Sequence, residues 1–268
     1  MKNIIKANLS GKNILITGSA HGLGAFYAEI LAKNGAHVIV SGREKAEEQL
    51  ESLVEKITGA GHKATKCIFD LTDFTSFDRI IGNINAQLGN IDVLINNAAI
   101  SIDRSLFEIT EKDWDIHMNT NLKGLFFLSQ AVAKQMVNNL NGGKIINVAA
   151  INGEKVRKNC IAFGTSKAGV IHLTKSMAYE LADYNIKVNG ISLGLIESSD
   201  TVREFLKANL KASEYINQIP VKRVGQLEDL AGPILLLASD ASNYMHGSII
   251  HVDGGFASGA FMHIDVKA

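Results

Sequence analysis

Thr17-Gly18-Ser19-Ala20-His21-Gly22-Leu23-Gly24 is the first stretch of the chain whose residue types could do chemistry, because glycines at this spacing open the main chain to an anion. The apolar run Asn13-Ile14-Leu15-Ile16 ends directly on it, and apolar residues at helical spacing over 24–33 begin where it finishes. In a strand, turn and helix of this kind, Gly18 makes the tight turn, Gly22 lets the backbone approach a pyrophosphate, and Gly24 permits close helix packing. The helix N-terminus then offers unpaired amides to the phosphates. Arg43 follows the second apolar run with a planar, permanent charge suited to bidentate phosphate recognition.

The elements that must hold such a loop recur along the chain. His37-Val38-Ile39-Val40 leads to a charged helix over 44–57, and the run 64–69 leads to a helix over 74–88. Further β-rich runs lie at 91–95, 144–148, 186–191 and 248–252, which makes seven strands alternating with helices. Fully apolar strands separated by helices imply a parallel sheet covered on both faces and joined by right-handed crossovers. The fold class is therefore α/β, a single-domain Rossmann-type doubly wound sheet. Ligands of such sheets lie beyond the carboxyl ends of the strands, where the strand order reverses.

The 268 residues carry 27 lysines and arginines against 27 aspartates and glutamates, so no summed field attracts a phosphate backbone or an anionic membrane. No nucleic acid and no membrane is expected among the partners. Hydrophobic content of 46% excludes a disordered chain. The two cysteines, Cys67 and Cys160, have no ligand-like spacing, which fits a reducing cytoplasm. Met1 to Asn8 lack the apolar segment of a secretory signal, and no apolar run is long enough to span a bilayer. With two prolines and no linker-like stretch, 1–268 reads as one domain.

The loop's spacing, three residues and then one between glycines, resembles the TGxxxGxG loop of the short-chain dehydrogenase/reductase family. Asn96-Asn97-Ala98-Ala99 is similar to the family's NNAG segment with its last glycine replaced, and Asp70-Leu71 matches the acidic position that contacts adenine. Asn119-Thr120-Asn121-Leu122-Lys123-Gly124 resembles the segment that carries the family's structural and catalytic asparagine, here Asn121. The stretches 142–153, Lys167-Ala168-Gly169, Ile186-Lys187-Val188-Asn189 and Val252-Asp253-Gly254-Gly255 follow in the family's order. The likeness covers about 9–255. It implies a nicotinamide dinucleotide held by Gly18, Ser19, His21, Gly22, Leu23 and Gly24 at the phosphates. Asp70, Leu71, Asn97 and Ala98 would contact it further along, with Lys167, Gly194, Ile196 and Ser198 at the nicotinamide end.

In family members that use NAD, an acidic residue at the end of the second strand accepts the ribose hydroxyls and repels a 2′-phosphate. Here that position is Gly42, followed by Arg43, with His21 nearby in the loop. The resemblance therefore implies NADP rather than NAD, against the plainer reading that Arg43 only begins a solvated helix.

Hydride transfer to a carbonyl develops negative charge on oxygen, so the site needs a proton donor. The family uses a Ser, Tyr, Lys and Asn set, and its YxxxK lysine maps to Lys167, which binds the nicotinamide ribose and lowers the tyrosine pKa. Four residues earlier stands Phe163, and thirteen residues before that, where the family has serine, stands Ala150. Both hydroxyls are absent. Thr165 and Ser166 lie on other faces of the helix than Lys167, and Tyr179 is three turns on. General acid catalysis is worth about 10² to 10⁴ in rate, roughly 3 to 5 kcal/mol, so standard carbonyl reduction is expected to be impaired.

Three accounts fit these two minimal deletions. They match the changes made deliberately to disable an enzyme while Asn121, Lys167 and the nucleotide loop stay intact. They also fit a natural dinucleotide-binding or sensing protein, which Leu193 in place of the family's proline and Ala99 in place of its glycine favour. The third account is a dienoyl- or enoyl-thioester type reductase that draws its proton from elsewhere.

Ile100, Ser101, Asn152, Gly153 and Leu195 are the expected lining of the substrate pocket, a mixture that suits a 3-oxoacyl thioester, a sugar acid or a cyclic ketone. Leu195 and Ser198 would flank the nicotinamide. The segment 197–220 falls where the family carries an amphipathic helical substrate lid, and 256–268 forms a C-terminal tail. His117, His172 and His251 read as structural or surface residues with no metal spacing. Phe126, Phe127 and the helix over 171–177 read as core or subunit interface. The family commonly assembles as tetramers through these helices and the last strand, so a homo-oligomer, tetramer or dimer, is the expected partner besides a small-molecule substrate.

Overall fold

The computed structural model describes residues 7–138, 140, 142–198 and 212–258. Seven strands form one parallel sheet in the order β3-β2-β1-β4-β5-β6-β7. They are β1 (Asn13–Ile16), β2 (His37–Gly42), β3 (Lys63–Ile68), β4 (Val93–Asn96), β5 (Gly143–Ala150), β6 (Ile186–Leu193) and β7 (Ile249–Val252). Between them run α1 (Gly22–Lys33), α2 (Glu47–Gly59), α3 (Phe77–Leu88), α4 (Glu111–His117), α5 (Leu125–Asn138), α6 (Ile161–Leu181), α7 (Ala212–Gln218) and α8 (Ala231–Ala238). β1 pairs with β2 on one side and β4 on the other, so the order reverses between β1 and β4. The loops after those two strands must therefore meet at one crevice.

Alternate side chains of the buried strands feed two separate cores. Ile14, Ile16, Val38, Val40, Val93 and Ile95 pack with Leu31, Leu50 and Leu235 on one face. Leu15, Ile39, Leu94 and Ile145 pack with Ile80, Leu128 and Met177 on the other. Each fully buried aliphatic side chain contributes about 1.5 to 3 kcal/mol, which is why the central strands are rich in Ile, Val and Leu. The expectation of fully apolar strands fails at the two edges. β3 carries Lys63 and Lys66 and has no fully buried residue, and β7 is likewise half-buried with His251 exposed. An edge strand has a neighbour on one side only, so polar side chains there remain hydrated.

The helices expected over 44–57 and 74–88 each begin with a short 3₁₀ turn, Glu44–Ala46 and Phe74–Ser76, before α2 and α3 proper. The first helix starts at Gly22, ahead of the apolar periodicity. A buried polar chain ties the sheet to its helices: Asn96 Nδ2 donates to Ser129 Oγ at 2.8 Å and Asn147 Oδ1 at 2.9 Å, and Asn147 Nδ2 donates to Thr174 Oγ1 at 2.9 Å. Phe126 and Phe127 pack half-buried against the second core, as does Leu173. Most of the expected lid, 199–211, and the tail from 259 onward lie outside the described residues. Among the described residues no helix is long and apolar enough to cross a membrane.

Candidate active site

The loop after β1 and the loop after β4 close on each other at the reversal point. Gly18 has φ of 63°, and a Cβ there would lie 2.8 Å from Ala98 Cα, so only glycine lets the two main chains come this close. A Cβ on Gly24 would strike the Gly18 carbonyl oxygen and approach Asn97 Nδ2 to 2.7 Å. Asn97 fastens the crevice: its Nδ2 donates to the carbonyls of Thr17 and Gly18 at 2.9 and 3.0 Å. Thr17 Oγ1 in return accepts the amides of Asn97 and Ala98, both at 3.0 Å. Ser19 is fully buried, and its Oγ accepts the Ser41 amide at 2.7 Å, joining the glycine loop to the end of β2.

Above this crevice α1 begins without a side-chain cap and without an acidic residue in its first turn. Its first amides thus keep the partial positive charge that favours an anion. His21 is exposed at the helix start, and Leu23 packs half-buried against the first core. Arg43 is exposed directly after β2, and among the described residues no carboxylate pairs with it. Across the same mouth, one Asp70 carboxylate oxygen accepts the amide and hydroxyl of Thr72 at 2.8 and 2.7 Å, while Leu71 is buried. A Cβ on Gly22 would come within 3.2 Å of the Ser198 carbonyl oxygen, which brings the segment after β6 over the loop.

The second half of the site is built on α6 and the carboxyl end of β5. Ala150 closes β5 and the turn Ile151–Gly153 folds back on the helix, where a Cβ on Gly153 would meet Lys167 and Ala168 backbone atoms at 2.7 Å. Lys167 lies one helical turn after Phe163, is fully buried, and donates from Nζ to the Val148 carbonyl at 2.7 Å. Its Nζ stands 5.7 Å from the centre of the Phe163 ring. Burial without a carboxylate partner pushes the Lys167 pKa down to about 8.

Asn121 reaches this centre from a π-helical stretch, Met118–Gly124, inserted between α4 and α5. Its Oδ1 accepts the Ile100 amide at 2.8 Å, and its Nδ2 donates to Ile100 O at 2.9 Å and to Ser166 Oγ at 3.0 Å. Ser166 donates to Phe163 O at 2.7 Å. The chain of bonds holds the loop after β4 against α6, and it engages the Ser166 hydroxyl as both donor and acceptor. Thr165 points outward and Tyr179 is 88% exposed, so neither stands in for a hydroxyl at 150 or 163.

The expected substrate lining comes from the segments after β4, β5 and β6. Ile100 is half-buried, Ser101 is exposed, and Asn152 and Gly153 pack on α6. Leu195 belongs with Ile196 to a separate cavity of about 320 Å³ beyond β6 and β7, whose polar lining is Arg223, Asp229, His251 and Asp253. Gly194 abuts Asp253 at its rim, since a Cβ there would be 2.7 Å from Asp253 Cα.

Sequence reasoning missed the rim. Arg157 grips Asp103 with two bonds of 2.7 Å and donates from Nη2 to Cys160 Sγ at 3.2 Å, pinning the loop before α6 to the loop after β4. The Arg104 amide donates to Asn159 O at 2.9 Å alongside. These positions carry no local spacing signal, because the partners come from different crossovers. His117, fully buried, spends both ring nitrogens on the backbone, one of them accepting the Ile102 amide at 3.0 Å, and so is a structural residue. His251 pairs with Glu154 at 2.9 Å on the surface. Among the described residues no three metal-ligating side chains are grouped.

The model of a family described as Enoyl-(Acyl carrier protein) reductase matches residues 18–257. The chain is 39% identical over 247 residues to the 3-oxoacyl-(acyl-carrier-protein) reductase FabG of Thermotoga maritima, covering 92% of this chain and 98% of that one. It belongs to the short-chain dehydrogenase/reductase family. The 2-dehydro-3-deoxy-D-gluconate 5-dehydrogenase of Dickeya dadantii is 36% identical over 250 residues, 93% of this chain and 96% of its own. Among solved structures, a gluconate 5-dehydrogenase from Burkholderia cenocepacia in complex with NADP and tartrate superposes with a TM-score of 0.89 at 33% identity, covering 95% of this chain and 98% of that chain.

Proposed function

We infer that this short-chain dehydrogenase/reductase binds NADP(H) and is a scaffold for hydride transfer between the nicotinamide and a ketone or secondary alcohol, of the 3-oxoacyl or sugar-acid class. The reading rests above all on the crevice between β1 and β4, where Gly18 admits Ala98, Gly24 admits the loop, and an acid-free helix start faces outward. These groups fit a dinucleotide. Its pyrophosphate would lie against residues 18–24, its adenine near Asp70 and Leu71, and its nicotinamide toward Asn97, Ala98, Lys167, Gly194, Ile196 and Ser198. Arg43, exposed, without an ion pair among the described residues and preceded by Gly42 rather than an acid, favours the 2′-phosphate of NADP. Relatives solved with NADP support the same choice.

When bound, the dihydronicotinamide supplies the hydride. The protein's own part is to orient the ketone, exclude water and stabilise the developing oxyanion. Asn121 fixes the loop after β4, and the buried Lys167 brings a cation to the centre. With alanine at 150 and phenylalanine at 163, no hydroxyl from the family's usual pair reaches the ketone oxygen, so reduction by the standard route is slow. A conjugated enoyl thioester is the second candidate substrate, favoured by the description of the matching family model. We also propose a cytoplasmic homo-oligomer.

The test is a turnover screen of purified protein with NADPH against a 3-oxoacyl thioester, 5-keto-gluconate and a trans-2-enoyl thioester. Slow oxidation with one of the two ketones is expected. Rates ordinary for the family would refute the impairment, and faster reaction with the enoyl thioester would replace the ketone reading.

A further inference from the structure

On the face of the sheet that carries the second core, α3 and α5 leave a groove of about 330 Å³ between them. Each helix lines it with one stripe, Asp78, Gly82 and Asn85 on α3 and Ala131, Lys134 and Gln135 on α5. Gln135 is 7% exposed. Its Oε1 accepts the Ile91 amide at 3.1 Å just before β4, which fixes the carboxamide and leaves Nε2 as a buried donor with no partner among the described residues. Asn85 Oδ1, on the other wall, is likewise buried without a donor among them. The two amides do not bond each other, so the groove holds one unmet donor and one unmet acceptor, an arrangement that folded chains seldom leave. Gly82 lies in mid-helix without a left-handed φ, and a Cβ on it would meet nothing within 4 Å. Neither backbone conformation nor packing requires glycine there, and glycine weakens a helix interior, but its bare backbone keeps that wall of the groove open. Asp78 and Lys134 are exposed and opposite in sign, which leaves the groove without net charge.

We propose that the groove between α3 and α5 is a second binding site, for a small neutral ligand with an amide edge. A carbonyl oxygen of the ligand accepts from Gln135 Nε2, and an N–H beside it donates to Asn85 Oδ1. A primary carboxamide and the lactam edge of a pyrimidine base both carry that pair of groups. Because the bond to Ile91 already holds the Gln135 side chain, little of its freedom is lost on binding. The site shares no residue with the β1–β4 crevice and does not rest on the dinucleotide reading.

The experiment titrates the full chain with benzamide and with uracil, followed by saturation-transfer NMR with and without NADPH. N,N-dimethylbenzamide and dimethyluracil, which keep the carbonyls but have no N–H, serve as counterparts. At least one probe should saturate near about 1 mM, as fits a ligand of that size, equally with and without NADPH, while its methylated counterpart does not. The probe that binds more tightly names the source of the amide edge. Gly82→Leu, which sets a side chain in the groove from a Cβ that meets nothing, should weaken that probe at least tenfold while the melting temperature holds or rises. Gln135→Glu, which keeps the acceptor for Ile91 and removes the donor, should weaken it as much. No saturable binding of either probe, equal binding of a methylated counterpart, displacement by NADPH, or full affinity in Gly82→Leu overturns the inference. So does a change of oligomeric state in Gly82→Leu, which would assign the groove to a contact between copies of the chain.

Discussion

Restoring the two family hydroxyls, Ala150→Ser together with Phe163→Tyr, tests whether the centre around Lys167 is otherwise complete. A charge at the 5.7 Å that separates Lys167 Nζ from the ring centre is worth about 3 kcal/mol at an effective dielectric of 20. Acting on a phenol of ordinary pKa about 10, that attraction would bring its titration down to about 8. A donor with that pKa, close to the working pH, is worth about 10² to 10⁴ in rate, or roughly 3 to 5 kcal/mol of barrier. Ala150 is buried at the end of β5, so the added serine oxygen needs a hydrogen-bond partner there, which a bound ketone would supply. The assay is the fall in NADPH absorbance with a 3-oxoacyl thioester and with 5-keto-gluconate. A gain of at least a hundredfold in kcat with cofactor affinity unchanged is expected. A double variant that folds and binds NADPH but gains nothing would refute the claim that the missing hydroxyls limit turnover.

Lys167 should make stability depend on pH. Its folded-state pKa of about 8 lies below the ordinary 10.5, so the unfolded chain binds more protons between those values and native stability rises with pH across that window. Lys167→Met should therefore be more stable than the parent at pH 7, by at most about 3 kcal/mol, with the difference shrinking toward pH 10; thermal unfolding at both values decides, and a constant difference would contradict the burial argument. Gly24→Ala should lower the melting temperature despite alanine's better helix propensity, because the added carbon meets the Gly18 carbonyl, a cost of about 1 to 3 kcal/mol. An unchanged or raised melting temperature would show that the loop can shift.

Much of this arrangement was legible in the residues. Apolar runs ending on turn signals gave the seven strands, since buried parallel strands select Val, Ile and Leu, and the glycine spacing marked the crevice because close main-chain approach excludes a Cβ. Counting back from Lys167 along the motif of the family it resembles found Phe163 and Ala150. The edge strands were read as too apolar, since a short run such as 64–69 does not reveal that it has a neighbour on one side only. The Arg157 grip on Asp103 and the bonds of Asn121 to Ile100 and Ser166 were not legible. Each joins residues from different crossovers, and no local pattern reports a contact that tertiary packing alone creates.

The account's central claim is that the β1–β4 crevice holds NADP(H) and that Arg43 reads its 2′-phosphate. An equilibrium titration with NADPH and NADH, on the unmodified protein and on Arg43→Ala, tests it most directly. NADPH should bind tighter by about tenfold or more, as loss of a charge-assisted bond commonly weakens binding by that factor, and Arg43→Ala should abolish the preference with little change toward NADH. Equal or tighter binding of NADH by the unmodified protein, or no saturable binding of either nucleotide, would contradict it.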